Sequence, residues 1–336
     1  MNIFTRLLII SLMFSFTSCS WKSGANIQSQ VEHSDSMHEK EDFSATETKQ
    51  NTETSQGLLP GSVSVAESFQ VEMFYSTDTD RVIFDDYIAY IKPFKSQQIS
   101  RLIIETARFF MNKPYIASTL EFEPEGLVIN LRELDCTTLV ETVLALSRTV
   151  KIFDNPTFEN FGEQLQNVRY RRGNIGDYTD RNHYFSDWIY ENETRGYVKD
   201  VTKEAGGEPY KMNLNFMSSH PDSYKQLKSN PGFVDIIRKK ESEISDRNVY
   251  SIIPEARIKS CEKEMMDGDI VCFVTDIEGL DVSHIGFIYR DKGVVTFIHA
   301  SSSAKKVIVN PQELLAYVEK NKRNTGVIIV RPMFYD

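Results

Sequence analysis

The chain has 336 residues, 40% of them hydrophobic, and a formal net charge of −10. That balance argues against a nucleic-acid binder, which needs a basic face, and no run of Lys or Arg supplies one. The hydrophobic content is ample for a large core, and the length admits one large domain or two small ones.

The opening stretch MNIFTRLLIISLMFSFTSCS places Arg6 before an apolar run and small residues before Cys19. This order predicts a secretory signal peptide, the run being short for a membrane-spanning helix. FTSC resembles a bacterial lipobox, so residues 1–19 read as a lipoprotein signal with a lipidated Cys19. The protein is then exported and lipid-anchored to a bacterial membrane, facing the periplasm. Residues 20–64 are Ser, Thr, Gln, Glu and Asn with few large apolar side chains. They cannot bury enough surface to fold and read as a disordered tether. A single folded domain is predicted over 65–336.

Ser96 to Met111 places Ile99, Leu102, Ile103 and Ala107 on one face, which predicts an amphipathic helix. GLVINL is a short β-rich run. In LDCTTLVETVLAL, Asp135 suits an N-cap and Cys136 the first helical position. Leu139, Val140, Val143, Leu144 and Ser147 then form the packing face. A second helix is predicted over 157–168. The stretch RYRRGNIGDYTDRNHYFSDWIYENETRGYVKDVT is rich in Tyr, Arg and Asn, and reads as a long irregular excursion with a short helix over 185–191. Loops of this composition commonly line a site. Tyr184 is assigned to such a site and Trp188 to the core. Residues 209–254 add helices and loops, with His220 in a surface turn.

GDIVCFVTD, DVSHIGFIYR, GVVTFIHAS, KKVIV and TGVIIVRP read as strands, with PQELLAYVEKN as a helix before the last. Short links predict an antiparallel meander, and helices preceding strands give an α+β layout. Three cysteines remain after Cys19, so at least one is a free thiol. Cys261 and Cys272 either pair or are both buried thiols. There is no C-x-x-C and no H-E-x-x-H, so neither zinc nor any other cofactor is predicted.

Cys136 opens a helix, where the macrodipole and free N–H groups lower a thiol pKa. A nearby imidazole lowers it further and serves as general acid, and His284 and His299 are the candidates. With Asp291 and Lys292 as a two-residue turn, Arg290 pairs with Gly293 and His284 faces His299 directly. Gly286 lies on the same face and leaves room for an approaching group.

The DC pair opening a helix, followed much later by SHIGFIYRDKGVVTFIHAS, resembles the NlpC superfamily of papain-like cysteine peptidases. LDCTTLVETVLAL, RYRRGNIGDYTDRNHYFSDWI, GDIVCFVTDIEGLDVSHIGFIYR and IHASSSAKKV together resemble its N-acetylmuramoyl-L-alanine amidase-like branch, over most of 96–336. The resemblance implies a papain-like α+β fold with a nucleophile helix packed on an antiparallel sheet, carrying extra helical and loop insertions. It implies cleavage of the amide between N-acetylmuramic acid and L-alanine, with a preference for 1,6-anhydro sugar ends. Cys136 matches the nucleophile, His284 the base and His299 the orienting residue, with Ser301 and Ser302 as competitors for that last role. Asp135 matches the residue before the nucleophile. Tyr178, Arg181, His183, Tyr184, Ser283 and Ser301 fall in the implied substrate pocket. The partners are muropeptides and, through the anchor, a membrane; the chain reads as a monomer. Two rival readings are a stem-peptide endopeptidase and a lipid-anchored glycan-binding protein, the latter having no use for a thiolate.

Overall fold

The structure, a computed structural model, describes residues 74–334. The signal peptide, Cys19 and the tether lie outside the described residues.

The first half is mainly helical. Strand β1 (Phe74–Tyr75) precedes α1 (Asp78–Ile91) and α2 (Ile99–Phe109), and β2 (Leu127–Val128) pairs with it in parallel. Then come α3 (Cys136–Ile152), α4 (Phe158–Arg169) and α5 (Phe185–Thr194). The middle of the chain holds β3 (Val198–Asp200), β4 (Glu208–Pro209), α6 (Phe216–Ser219), α7 (Lys225–Ser229), α8 (Pro231–Asp246), β5 (Ser251–Pro254) and α9 (Ile258–Cys261). The last third comprises β6 (Ile270–Thr275), β7 (Val282–Asp291), β8 (Val294–Ser301), β9 (Lys306–Val309), α10 (Leu314–Lys320) and β10 (Asn324–Pro332).

The main sheet runs β4–β5–β10–β6–β7–β8–β9, with β3 also paired to β10, and its pairings are antiparallel. The expected meander holds from β6 to β9. It fails at β10, which does not extend the sheet past β9 but returns to pair with β6. The apolar run Val327–Val330 is buried, as suits a central strand. Strands β3 to β5 were not expected, being too short to show alternation.

Alternation along the strands divides two cores. Cys272, Val274, Ile285, Phe287, Ile298 and Ala300 join the helices α1 to α5 on one side. Val271, Phe273, Ile288 and Phe297 join Ile258, Leu314 and Val318 of α9 and α10 on the other. Helix α3 was expected to pack through one face. It is buried on nearly every side, because α2, α4 and the sheet all pack against it.

The β7–β8 hairpin differs from expectation in register. Asp291 pairs with Val294, and Lys292 (φ +51°) and Gly293 (φ +89°) make the turn. Positive φ at both central residues is what a tight hairpin of this hand requires, and Gly293 supplies it without steric cost. The pairing is therefore displaced by two residues. Continued along the strands, it sets Gly286 opposite His299 and His284 opposite Ser301. A shift of two keeps both imidazoles on one face, where a shift of one would have separated them.

Candidate active site

Asp135 caps α3. Its carboxylate accepts the Thr138 N–H at 2.8 Å, and its own N–H donates to Thr138 Oγ1 at 2.9 Å. Such a cap is worth about 1 kcal/mol. Burial raises the Asp135 pKa, opposed by the Thr138 hydrogen bonds. Cys136 is thus fixed as the first residue of a 17-residue helix and is buried, with 1% exposure. Cys261 and Cys272 are free and buried, which settles their alternative: they do not pair.

His284 Nε2 and His299 Nδ1 lie 2.6 Å apart. His284 stands on β7 and stacks near Phe273, its partner on β6, with centroids 6.0 Å apart. His299 lies 4.6 Å from the Phe297 ring, and Tyr317 of α10 closes the same aromatic floor, 4.8 Å from both Phe273 and Phe297. Burial lowers the His284 pKa to about 4 and holds His299 well below its usual value. His299 Nε2 is buried without a hydrogen-bond partner among the described residues. The pair therefore sits on the face shared with α10, whereas the body of α3 packs against the opposite face of β7 and β8.

The start of α3 is tied to the edge of the sheet beyond β9. Residues 112–115 lie antiparallel to β9, through Asn112 N–H to Val307 O, Val307 N–H to Lys113 O and Tyr115 N–H to Lys305 O, each 2.9 Å. Leu134 N–H then donates to Pro114 O at 3.0 Å, two residues before Cys136. Pro114 pairs with Lys306 and Lys306 with Ser301, so this attachment is level with His284 in the strand direction.

A bulge at Ser283 shapes the approach to His284. Val274 pairs with Val282 and Phe273 with His284, leaving Ser283 as the extra residue. Bulges of this kind re-aim neighbouring side chains. Ser283 Oγ donates to Phe273 O at 3.3 Å and to Asn324 Oδ1 at 3.1 Å. Ser301 Oγ lies 3.1 Å from Ser303 Oγ and accepts the Ala304 N–H, which spends it on the β8–β9 turn.

The residues from the 178–184 stretch are placed differently. Arg181 forms a two-pronged ion pair with Glu125 at 2.6 and 2.8 Å, bonds Glu121 at 3.1 Å and donates to Leu120 O at 2.7 Å. Burial opposes its charge, but the Glu125 hydrogen bond and the charges of Glu125, Tyr170 and Glu121 together outweigh burial and raise its pKa. Tyr184 donates to Glu241 Oε1 at 2.7 Å and accepts the Met217 N–H at 3.0 Å. His183 Nε2 lies 2.8 Å from Tyr178 O, and the two rings are 4.4 Å apart. Burial lowers the His183 pKa to about 3. In this arrangement all four residues make internal contacts, and Arg181 ties the stretch to the 120–125 loop. Trp188 is fully buried and stacks on Phe185. His220 stays exposed, stacked on Phe216.

Two supports escaped the sequence reading. Glu141, on α3, accepts Arg169 Nε at 2.6 Å in a fully buried ion pair, joining α3 to the end of α4. Asp281 accepts the Ser186 N–H at 2.7 Å and so caps α5 from the start of β7. Their partners are 28 and 95 residues away in sequence, so no local pattern announces them.

The chain matches the family model for N-acetylmuramoyl-L-alanine amidase-like proteins over residues 105–327. It is similar to the crystal structure of an N-acetylmuramoyl-L-alanine amidase from Bacteroides uniformis ATCC 8492, at 36% identity and a TM-score of 0.67, covering 70% of this chain and 99% of that one. A Bacteroides fragilis structure, whose protein was suggested to be a xylanase, is similar at 35% identity and a TM-score of 0.62, covering 67% and 98%. A protein from Legionella pneumophila str. Philadelphia 1 shares the fold at 21% identity and a TM-score of 0.56, covering 76% and 94%. No curated protein matches at a significant level. The family match spans well over half the chain and contains Cys136, His284 and His299; the chain belongs to the N-acetylmuramoyl-L-alanine amidase-like family.

Proposed function

We propose that this protein hydrolyses the amide between N-acetylmuramic acid and L-alanine in peptidoglycan fragments, using reduced Cys136 as nucleophile within a papain-like, NlpC-type arrangement. The observation that carries the mechanism is the 2.6 Å contact between His284 and His299, on strands against which the helix opened by Cys136 packs. Because His284 Nε2 is engaged by His299 Nδ1, His284 Nδ1 is the nitrogen left to exchange a proton with the thiol.

In this mechanism the thiol gives its proton to His284 Nδ1 and the thiolate adds to the lactyl carbonyl. Backbone N–H groups at the start of α3 stabilise the oxyanion. His284 passes its proton to the departing alanine amine, breaking the C–N bond and leaving a thioester. It then takes a proton from water, whose oxygen attacks the thioester and frees Cys136. His299 keeps His284 in the working tautomer.

The preference for 1,6-anhydro ends is part of the same proposal. The 169–200 stretch is joined to α3 by the Arg169–Glu141 pair and would wall one end of the cleft. The FTSC sequence supports export and lipidation at Cys19, a reading that predicts loss of membrane attachment in Cys19→Ala.

The test is hydrolysis of defined muropeptides by reduced protein. Release of free L-alanine amine without new reducing ends supports an amidase. Cleavage of stem peptide lacking sugar would indicate an endopeptidase, and new reducing ends a glycosidase. Binding without turnover would leave only the glycan-binding reading. Faster cleavage of intact sacculi than of anhydro-muropeptides would overturn the specificity part.

A further inference from the structure

The attachment of residues 112–115 to β9 gathers three lysines at the sheet edge that leads into α3. Lys113 is half-buried there, and Lys305 and Lys306 are exposed. None of the three pairs with a carboxylate among the described residues, although the chain carries a net charge of −10. Lys306 differs from a freely moving surface lysine. Its ammonium donates to Asn112 Oδ1 at 2.9 Å, and Asn112 itself has φ +67°.

Strand alternation gives Lys306 its direction. It is the cross-strand partner of Ser301, which shares a face of β8 with His299 two residues before it. Continuing the β7–β8 pairing places His284 opposite Ser301, so His284, Ser301 and Lys306 form one row across the sheet. Two strand spacings separate the ends of that row, roughly 10 Å. A lysine side chain and a short peptide together span that distance.

We propose that Lys306, held by Asn112 and reinforced by the field of Lys305 and Lys113, binds a carboxylate of the peptide portion of the substrate. The inference rests on the amidase reading of the same site and adds its preferred substrate class: muropeptides whose stem carries a free carboxylate near the scissile amide. The basic edge attracts such a group at a distance, and the Lys306 ammonium then holds it by a charge-assisted hydrogen bond.

The test compares N-acetylmuramoyl-L-alanyl-D-glutamate with its diamide, in which both glutamate carboxylates are converted to amides. Reduced wild-type protein is expected to favour the acid form by roughly three- to tenfold in kcat/KM, as for a partly exposed ionic contact. Lys306→Gln should lose that preference through KM, and Lys306→Arg should retain it. Equal cleavage of both forms by the wild type, or an undiminished preference in Lys306→Gln, overturns the inference alone. Binding to Cys136→Ala separates it from the amidase reading. Lys306-dependent binding of the acid form without cleavage by the wild type sinks the amidase reading and leaves this one standing. Neither binding nor cleavage of either compound sinks both.

Discussion

His284 and His299 share a 2.6 Å contact although neither is the other's cross-strand partner. They meet diagonally, with Gly286 opposite His299 in the continued register. A Cβ at Gly286 would lie 2.7 Å from Ile298 O, 2.9 Å from Phe297 Cδ2 and 3.1 Å from His299 Cβ. The bare backbone at that position is what permits the close packing of this face. Gly286→Ala should therefore cost roughly 1–3 kcal/mol of stability and disturb the imidazole pair. Chemical denaturation and a muropeptide assay check both effects; an alanine variant with unchanged stability and turnover would refute the packing argument.

His299→Ala should lower kcat by about ten- to a hundredfold while KM changes little, because the residue orients His284 rather than touching substrate. His299→Asn keeps a polar side chain at that position and should recover part of the loss. If alanine and asparagine behave alike, the orienting role is wrong.

Cys136→Ala should abolish hydrolysis without unfolding the protein, since Asp135 and Thr138 supply the cap. In reduced protein, Cys136 should be the cysteine alkylated first, because the start of α3 favours its thiolate, whereas burial raises the Cys272 pKa. His284→Ala should slow that alkylation near neutral pH. Peptide mapping after brief iodoacetamide treatment reads the order directly; an unchanged alkylation rate in His284→Ala would separate the imidazole from the thiol.

Arg181→Ala should act mainly on stability. It would leave Glu125 buried without its two-pronged partner, and removing one member of a buried pair costs about 3–5 kcal/mol. A fall in Tm of several degrees is expected. The outcome against this is an unchanged Tm with a raised KM, which would return Arg181 to the substrate.

Acidification should destabilise the fold below neutrality. Burial holds the pKa of His284 at about 4 and that of His183 at about 3. An exposed imidazole titrates near roughly 6.5. Between those values the unfolded chain binds protons that the folded chain refuses. This contribution to stability is complete above about pH 6.5 and declines as pH falls toward 4. Tm measured from pH 7.5 to pH 4.5 should drop, and His183→Gln should flatten the drop. A flat profile for the wild type would contradict the buried neutral imidazoles.

Local signals were legible without the fold. The Asp135 cap and the start of α3 at Cys136 follow from residue type and spacing, as do α4, α5 and the hairpin carrying both histidines, because capping and amphipathic periodicity act within one or two turns. The shared face of His284 and His299 was also readable, since parity survives a two-residue error in register. The exact pairing was not, because Lys292 and Gly293, rather than Asp291 and Lys292, adopt the positive φ that closes the turn. Tertiary structure alone decided the rest. It sent β10 back to β6, engaged Arg181 with a loop some 60 residues earlier, and brought Lys306 level with His284. Those outcomes depend on long-range strand pairing and on which buried charges find partners, and neither is encoded in the few residues around each position.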